Sequence, residues 1–322
     1  MRAVVRRSYG PPRTATVEEV DDPSPGPGEI VVRTAAATVG AADAAARSGT
    51  PRFSRLYFGL RRPRHPILGS EFAGRVVAVG PEATAFRVDD EVVGITGPRF
   101  GAHAELVRVG QDDAVVRRPA GLGAVAAVAL ADTTAVAFLR DEARLRAGQR
   151  ILILGATGAV GGLATQLAVH LGAAVTAVCR TDGVALATRL GAERVIDYTR
   201  EDAMRDTARY DVVFDAAGRS SFARCRRILV RGGIYLSTGP SLPLLLRWPW
   251  FGSRRARVAF TGLRPAGDKR RDLEEVMGLA ASGALIPVID GVYGLDRIAD
   301  AYARVDTGHK KGAVVLTMEE PA

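Results

Sequence analysis

Arg150-Ile151-Leu152-Ile153-Leu154-Gly155-Ala156-Thr157-Gly158-Ala159-Val160-Gly161 decides the fold. Ile151 to Leu154 form a short apolar run, the pattern of a strand buried on both faces. After it, Val160, Leu163, Ala164, Leu167, Ala168 and Leu171 recur at helical spacing. Gly155 to Gly161 therefore joins a strand to a helix N-terminus. Glycine permits a tight turn there, and it lets a pyrophosphate approach the free N–H groups and positive dipole end of the helix. A glycine pattern alone is a weak signal. Here a strand precedes it, a helix follows, and a second strand, Ala174–Cys179, comes at the right distance. Gly155, Ala156, Thr157, Gly158, Ala159, Val160 and Gly161 thus read as a dinucleotide cradle. Ala156 replaces the first glycine of the commonest fingerprint, and its small side chain is compatible with a tight turn.

The same rhythm continues downstream. Arg194–Asp197, Asp211–Asp215 and Gly233–Ser237 read as strands, with helices expected over Val184–Leu190, Glu201–Ala208 and Phe222–Leu229. Such alternation specifies a parallel sheet covered by helices. Arg257–Leu263 reads as its last, edge strand. Arg180 follows the second strand, where NAD-binding chains usually carry an acid for the ribose. A guanidinium can pair with the extra phosphate of NADP, so Arg180 points to NADPH, and Asp182 is the contrary sign.

Upstream the character differs. Ala3–Val5, Thr16–Val20, Glu29–Ala37, Glu71–Gly80, Glu91–Ile95 and Ala104–Val109 are short strand-like runs separated by Gly/Pro turns. They predict a closed or partly closed β structure. Ala124–Arg140 is Ala-rich and reads as one helix. At the C-terminal end, a helix over Leu273–Ser282, a strand over Pro287–Tyr293, a helix over Asp296–Val305 and a strand over Ala313–Thr317 are expected to return to the first β structure.

The chain has 322 residues, more than the ~250–300 at which single cores stop growing. Its net charge of +9 comes from 44 basic residues, of which only Lys269, Lys310 and Lys311 are lysines. The arginines are mostly scattered, without the stripe or module of a nucleic-acid binder. Cys179 and Cys225 form no close pair, and Met1–Gly10 has no apolar leader core, so a cytoplasmic chain is expected. No apolar run reaches the ~20 residues of a membrane span. Residues 241–257 hold both tryptophans, prolines and flanking arginines. They read as an apolar lid or dimer contact, with weak membrane contact as the sharper alternative.

His65-Pro66-Ile67-Leu68-Gly69-Ser70-Glu71-Phe72-Ala73-Gly74 resembles the entry motif of the medium-chain dehydrogenase/reductase superfamily. Val88–Gly94, Arg99–Glu105, the glycine loop, Val195–Thr199 and Asp211–Gly218 extend the resemblance over nearly the whole chain. The nearest branch is similar to the zinc-independent quinone oxidoreductases, including relatives of reticulon-interacting protein. The resemblance implies an α/β chain with a GroES-like β-rich catalytic domain, residues 1–121 and 265–322, plus a Rossmann doubly wound parallel sheet, residues 122–264. It implies NADPH in a cleft, with Gly158 and Gly161 at the pyrophosphate, Tyr198 near the adenosine 2′-phosphate, and Thr134, Ser237, Thr238 and Gly239 along the cofactor. Lys310 or Lys311 would close the cleft, and edge-strand pairing would make a homodimer.

Zinc members need a converging Cys/His set. The corresponding positions here are Gly40 and Ser70, and His65, His103, His170 and His309 lack ligand spacing, so no metal is expected. Without a Lewis acid, an unactivated alcohol is a poor substrate, whereas a quinone or enone already carries an electrophilic carbon. Tyr57 is the candidate proton donor, and Asp132 a candidate acid or a residue that shapes the pocket. The alternatives are a zinc-free dehydrogenase or reductase of another carbonyl or alcohol, and a non-catalytic NADPH-binding protein that docks on a membrane or partner.

Overall fold

The computed structural model describes residues 1–239, 256–258 and 261–318. The chain divides into two compact units, Met1–Asp132 with Gly262–Ala322, and Thr133–Thr261. The Trp-rich segment lies outside the described residues, apart from Ala256 and Arg257 at its end.

The first unit begins with a two-stranded antiparallel ribbon, β1 (Arg2–Arg6) and β2 (Ala15–Glu19). Its main sheet is organised on β3 (Glu29–Thr38), whose Ile30, Val32 and Ala37 enter the core. One edge of β3 pairs antiparallel with β4 (Glu71–Val79), which in turn pairs with β5 (Glu91–Ile95). β6 (Leu106–Gly110) pairs with the N-terminal half of β3, and β7 (Ala114–Arg117) pairs with β5. Phe72, Val76, Val92 and Leu68 fill the space beneath. Helix Ala124–Ala129 buries Ala127 and Val128 and packs near β3 and β4. The single helix expected over Ala124–Arg140 does not form. It breaks after Ala129, where the chain leaves the first unit, and Thr134–Val136 and a π-helical stretch, Ala137–Ala143, follow in the second.

The second unit is a six-stranded parallel sheet. Its strands are β8 (Arg150–Leu154), β9 (Ala174–Cys179), β10 (Arg194–Asp197), β11 (Tyr210–Asp215), β12 (Leu229–Ser237) and β13 (Ala256–Val258). Their spatial order is β10-β9-β8-β11-β12-β13, which reverses direction beside β8 as in doubly wound nucleotide-binding sheets. Register is pinned by buried residues: Leu152 faces Val213 on one side and Thr176 on the other. Two expected helices are shorter than the sequence suggests. Glu201–Ala208 gives only a 3₁₀ turn at Ala203–Arg205, because Asp206 binds Tyr210 and Arg194 instead of continuing a helix. Phe222–Leu229 gives one turn, Phe222–Cys225, since Leu229 already pairs with Tyr210 as the start of β12. The expected edge strand is limited to β13, and Thr261–Leu263 is a 3₁₀ turn.

The chain then returns to the first unit. Helix Ala266–Ala281 starts earlier than the apolar spacing suggested and packs near β7. β14 (Ile289–Gly294) pairs parallel with β15 (Ala313–Thr317), and β15 pairs antiparallel with the C-terminal end of β3, Leu316 opposite Ala37. Between them, helix Ile298–Asp306 places Asp306 2.7 Å from the buried guanidinium of Arg47. Tyr302 stacks on the same guanidinium at 5.0 Å. Removing Asp306 would leave a buried charge, which is costly. Among the described residues no helix is long and apolar enough to cross a membrane.

Candidate functional site

The glycine loop gives each glycine a different duty. Gly155 has φ of 75°, a left-handed turn that reverses the chain after β8. Gly158 caps helix Ala159–His170, and a Cβ there would meet only the Gly155 carbonyl oxygen, at 3.5 Å. Its open face lies at the helix N-terminus, where an anion is favoured. At Gly161 a Cβ would fall 2.1 Å from that same carbonyl oxygen, so its bare backbone lets the helix pack against the loop. Thr165 fixes this packing by donating to Gly161 O at 2.9 Å. Ala156 is fully buried, Thr157 nearly so, and Ala159 and Val160 open the helix. This arrangement fits a pyrophosphate at Gly158, with Gly155 and Gly161 shaping the loop around it.

At the ends of β9 and β10 the chain gathers cations and hydroxyls. Arg180 is 48% exposed, and its guanidinium lies 3.7 Å from Asp182. Tyr198 is exposed, and its N–H donates to Cys179 O, which ties the two strand ends together. Thr181 Oγ1 donates to Asp197 at 2.5 Å, and Thr199 N and Oγ1 also donate to it. These bonds, Thr181 first, hold Asp197 below the usual carboxylate range. Arg200, paired with Asp197 at 3.6 Å, adds a second guanidinium just past the end of β10 and was not singled out by the sequence. Only the close return of β10 to β9 makes it relevant.

Just past the ends of β11 and β12, Gly218 and Gly239 approach so closely that a side chain on either would crowd the other backbone. A Cβ on Gly218 would lie 3.0 Å from Gly239 Cα, and one on Gly239 would lie 2.9 Å from Gly218 Cα. Buried Asp215 fixes the first of these loops, accepting from Ser220 N at 2.6 Å and Tyr235 OH at 3.0 Å. Thr238 Oγ1 donates to Ala216 O, and Gly239 N donates to Ser237 Oγ. Thr134, the first residue of its short helix, has its hydroxyl 3.1 Å from that of Thr261.

The first unit holds a separate cluster of ionisable groups. Glu71 opens β4, with Oε1 accepting from Ser70 Oγ at 3.0 Å and Oε2 accepting from Thr38 Oγ1. Burial pushes its carboxyl up to about 8, helped by the negative charges of Asp132 and Asp43 and opposed by the two hydroxyls. Asp43 is fully buried and also raised by burial, while it accepts from Gly40 N at 2.8 Å and Gly69 N at 3.1 Å. His103 Nε2 lies 2.7 Å from Thr38 O. A carbonyl only accepts, so this nitrogen carries the proton. Lys310 is pulled down by burial against the charges of Asp132, Asp290 and Glu71, and its Nζ donates to Gly312 O at 2.9 Å. Lys269 is also lowered by burial, opposed by Glu71. Lys311 contributes its backbone N–H to Asp290. A carboxyl that keeps its proton near neutral pH, beside two depressed ammoniums, can store and release a proton.

The predicted site residues thus fall into two groups. Asp132 joins Glu71 and Lys310, residues whose chemistry the sequence reading had not connected. Tyr57 sits apart from these contacts on the turn Arg55–Phe58, 42% exposed and edge-on to Phe58 at 5.1 Å, and partial burial raises its hydroxyl. Two shallow depressions in the first unit, one at Phe86, Arg270 and Met277 and one at Met1, Ile67 and Phe100, contain no predicted site residue. Among the described residues no group of three or more His, Cys, Asp or Glu side chains is placed to hold a metal ion. Gly40 caps helix Ala41–Ser48, and Ser70 turns its hydroxyl to Glu71, so neither supplies a zinc donor.

Comparison with known proteins fits this two-part layout. The family model described as alcohol dehydrogenase GroES-like domain matches residues 26–141, and the one described as zinc-binding dehydrogenase matches residues 190–316. A quinone oxidoreductase of Pseudomonas aeruginosa is 34% identical over 241 residues, covering 72% of this chain and 71% of that protein. The chain belongs to the medium-chain dehydrogenase/reductase superfamily. Members similar to it include the chloroplastic NADPH-dependent alkenal/one oxidoreductase of Arabidopsis thaliana, 30% identical across 89% of this chain and 72% of the relative. The 2-methylene-furan-3-one reductase of Solanum lycopersicum is 32% identical across 79% of this chain, which spans 64% of that relative's length. The solved quinone oxidoreductase of Coxiella burnetii superposes with a TM-score of 0.88 at 25% identity, covering 99% of both chains. Relatives in this superfamily are named as NADPH-dependent or NAD(P)H oxidoreductases. The zinc in the second family model's description has no donor set among the described residues.

Proposed function

We propose that this superfamily member is an NADPH-dependent reductase of quinones and other conjugated carbonyls that works without zinc. The observation that carries the reading is Glu71. Where zinc relatives place metal donors, this chain has Gly40 and Ser70, and Ser70 hydrogen-bonds a carboxyl that holds its proton near neutral pH. A site that offers a proton rather than a metal suits an acceptor whose conjugation already activates it. The names of the Pseudomonas and Arabidopsis relatives support the same substrate class.

Bound NADPH would supply a hydride to the electron-poor carbon of the acceptor. The displaced electron pair moves to the carbonyl oxygen, and one proton completes the reduced product. Glu71 is the proton source in this reading, kept protonated first by burial and then by the like charges of Asp132 and Asp43. Lys310 balances the excess negative charge. Tyr57 is the second candidate donor. Gly158 receives the pyrophosphate, Arg180 and Tyr198 flank the 2′-phosphate, and Thr134 with Ser237, Thr238 and Gly239 lines the nicotinamide end. The protein is a cytoplasmic homodimer in this reading, formed along β13, one of the two end strands of its sheet among the described residues.

The test is NADPH consumption with a panel of quinones and enones, with and without a chelator. Turnover that the chelator leaves unchanged, with NADPH preferred over NADH, is the expected result. Tight NADPH binding without turnover on any acceptor would overturn the catalytic reading and leave a nucleotide-binding protein. Tyr57→Phe with undiminished turnover would remove Tyr57 as donor.

A further inference from the structure

The stretch between Asp43 and Glu71 carries six arginines and no carboxylate. Two of these cations are consumed internally. Arg47 binds Asp306, and Arg55 lies over the Tyr9 ring at 4.6 Å and donates to Gly49 O. Arg52, Arg61, Arg62 and Arg64 are exposed, and none pairs with a carboxylate among the described residues. Elsewhere many surface arginines are paired, for example Arg7 with Glu18, Arg194 with Asp206 and Arg304 with Asp290.

Among these cations stand three large apolar side chains, Leu56 at 68% exposure, Tyr57 at 42% and Leu60 at 67%. Single exposed leucines are ordinary. Three large apolar residues within five positions, bordered by unpaired cations, are not. The base of the segment is firmly held. Phe58 packs on the first unit's core and against Phe100 at 5.9 Å, Tyr9 OH donates to Gly59 O at 2.5 Å, and Arg64 N donates to Phe58 O at 2.8 Å. Phe58 therefore turns inward while its neighbours Leu56, Tyr57 and Leu60 stay in solvent. The result is an anchored apolar tip with a cationic border.

Apolar side chains that enter the acyl boundary, with arginines at headgroup phosphates, match the chemistry of an anionic bilayer surface. An acidic protein groove would suit the charges but would need an apolar floor of matching shape. A polynucleotide would satisfy the arginines and leave Leu56 and Leu60 in water. We propose that Leu56, Tyr57 and Leu60, bordered by Arg52, Arg61, Arg62 and Arg64, form a docking surface for an anionic lipid bilayer. The surface shares Tyr57 with the reductase reading, but its variants leave Tyr57 in place and its test measures vesicle binding only, so the two can fail separately.

The test is cosedimentation of the full chain with phosphatidylcholine vesicles, with and without phosphatidylserine, at low and high salt. Binding is expected only with phosphatidylserine and should weaken at high salt, because the attraction acts over a Debye length of about 10 Å at moderate ionic strength. Each basic residue at such a surface is worth about fivefold in affinity, so Arg61→Glu with Arg62→Glu should reduce binding by well over tenfold. Leu56→Ser with Leu60→Ser should reduce it about tenfold while keeping its salt dependence. The replaced side chains are exposed, so unchanged circular dichroism is expected and separates lost docking from misfolding. Three vesicle-binding outcomes overturn the proposal: no binding to phosphatidylserine vesicles, binding that both double variants retain, or binding abolished by Trp248→Ala with Trp250→Ala but not by the arginine pair. A concentration-dependent dimer that the leucine pair dissolves would assign the surface to a second copy of the chain and would also overturn it.

Discussion

In the second unit, the loop Gly155–Gly161 runs from the end of β8 into the first turn of its helix, and its three glycines shape it by leaving the backbone bare. In the first unit, Glu71 is hydrogen-bonded by its neighbour Ser70 and by distant Thr38, and it feels the charges of Asp43, Asp132 and Lys310, all acting through side chains. The cradle depends on what is absent from each glycine, so almost any added atom counts. The cluster depends on mutual charge and burial, so a change in one member shifts the others. One site is geometric and the other electrostatic, and they should fail differently.

The largest effect should come from the cradle. Gly158→Asp puts a carboxylate where the pyrophosphate is expected, while its Cβ meets no serious clash. NADPH affinity, read by nicotinamide fluorescence, should fall roughly a hundredfold, since a like charge at a contact costs several kcal/mol, and the melting temperature should hardly move. Gly161→Ala should do the reverse. Its Cβ collides with the Gly155 carbonyl, so the fold should lose about 1–3 kcal/mol as in overpacked cores. Equal effects of the two variants on binding and melting would break the division of duties among the glycines.

Glu71 sharpens the electrostatic side. In the folded chain its carboxyl is raised from 4.5 to about 8 by burial, Asp132 and Asp43, with Lys269 and Lys310 also facing it. Between those values the folded chain keeps a proton that the unfolded chain has lost. Its contribution to stability is therefore present below about 4.5 and lost as pH rises through about 8. Glu71→Gln should flatten this loss, so the variant overtakes the parent in stability at the alkaline end. In turnover, the same variant should remove the alkaline limb of the pH profile. A limb that persists in Glu71→Gln would exclude Glu71 as the proton source.

The smallest effect should come from Arg180→Ala. The guanidinium is half exposed and shared with Asp182, so its loss should cost about 1 kcal/mol, or roughly fivefold in NADPH over NADH preference. Arg200→Ala in addition should deepen it. A preference unchanged in the double variant would separate cofactor choice from this end of the sheet.

Legibility followed the same division. The glycine loop, the strands β8–β11 and the parallel order were readable because each rests on local pattern: apolar runs, helical spacing and glycines at fixed offsets. Helix lengths were less readable. Asp206 leaves the expected helix Glu201–Ala208 for Arg194 and Tyr210, and Leu229 leaves the next one for Tyr210. Asp132 was legible as an unusual residue but not as a neighbour of Glu71. The entry motif displayed Ser70-Glu71 without showing that the carboxyl would stay protonated.

The sequence by itself determined the cradle, the nucleotide chemistry it fits, the absence of cysteines from the first unit and the family to which the chain belongs. These follow from residues adjacent in the chain or from residue types alone. The tertiary structure decided which glycine must be bare for packing and which for approach. It also decided that Glu71 holds its proton and that Phe58 turns inward while Leu56 and Leu60 face solvent. Burial, charge proximity and backbone approach are sums over neighbours distant in sequence, and only the folded chain brings those neighbours together.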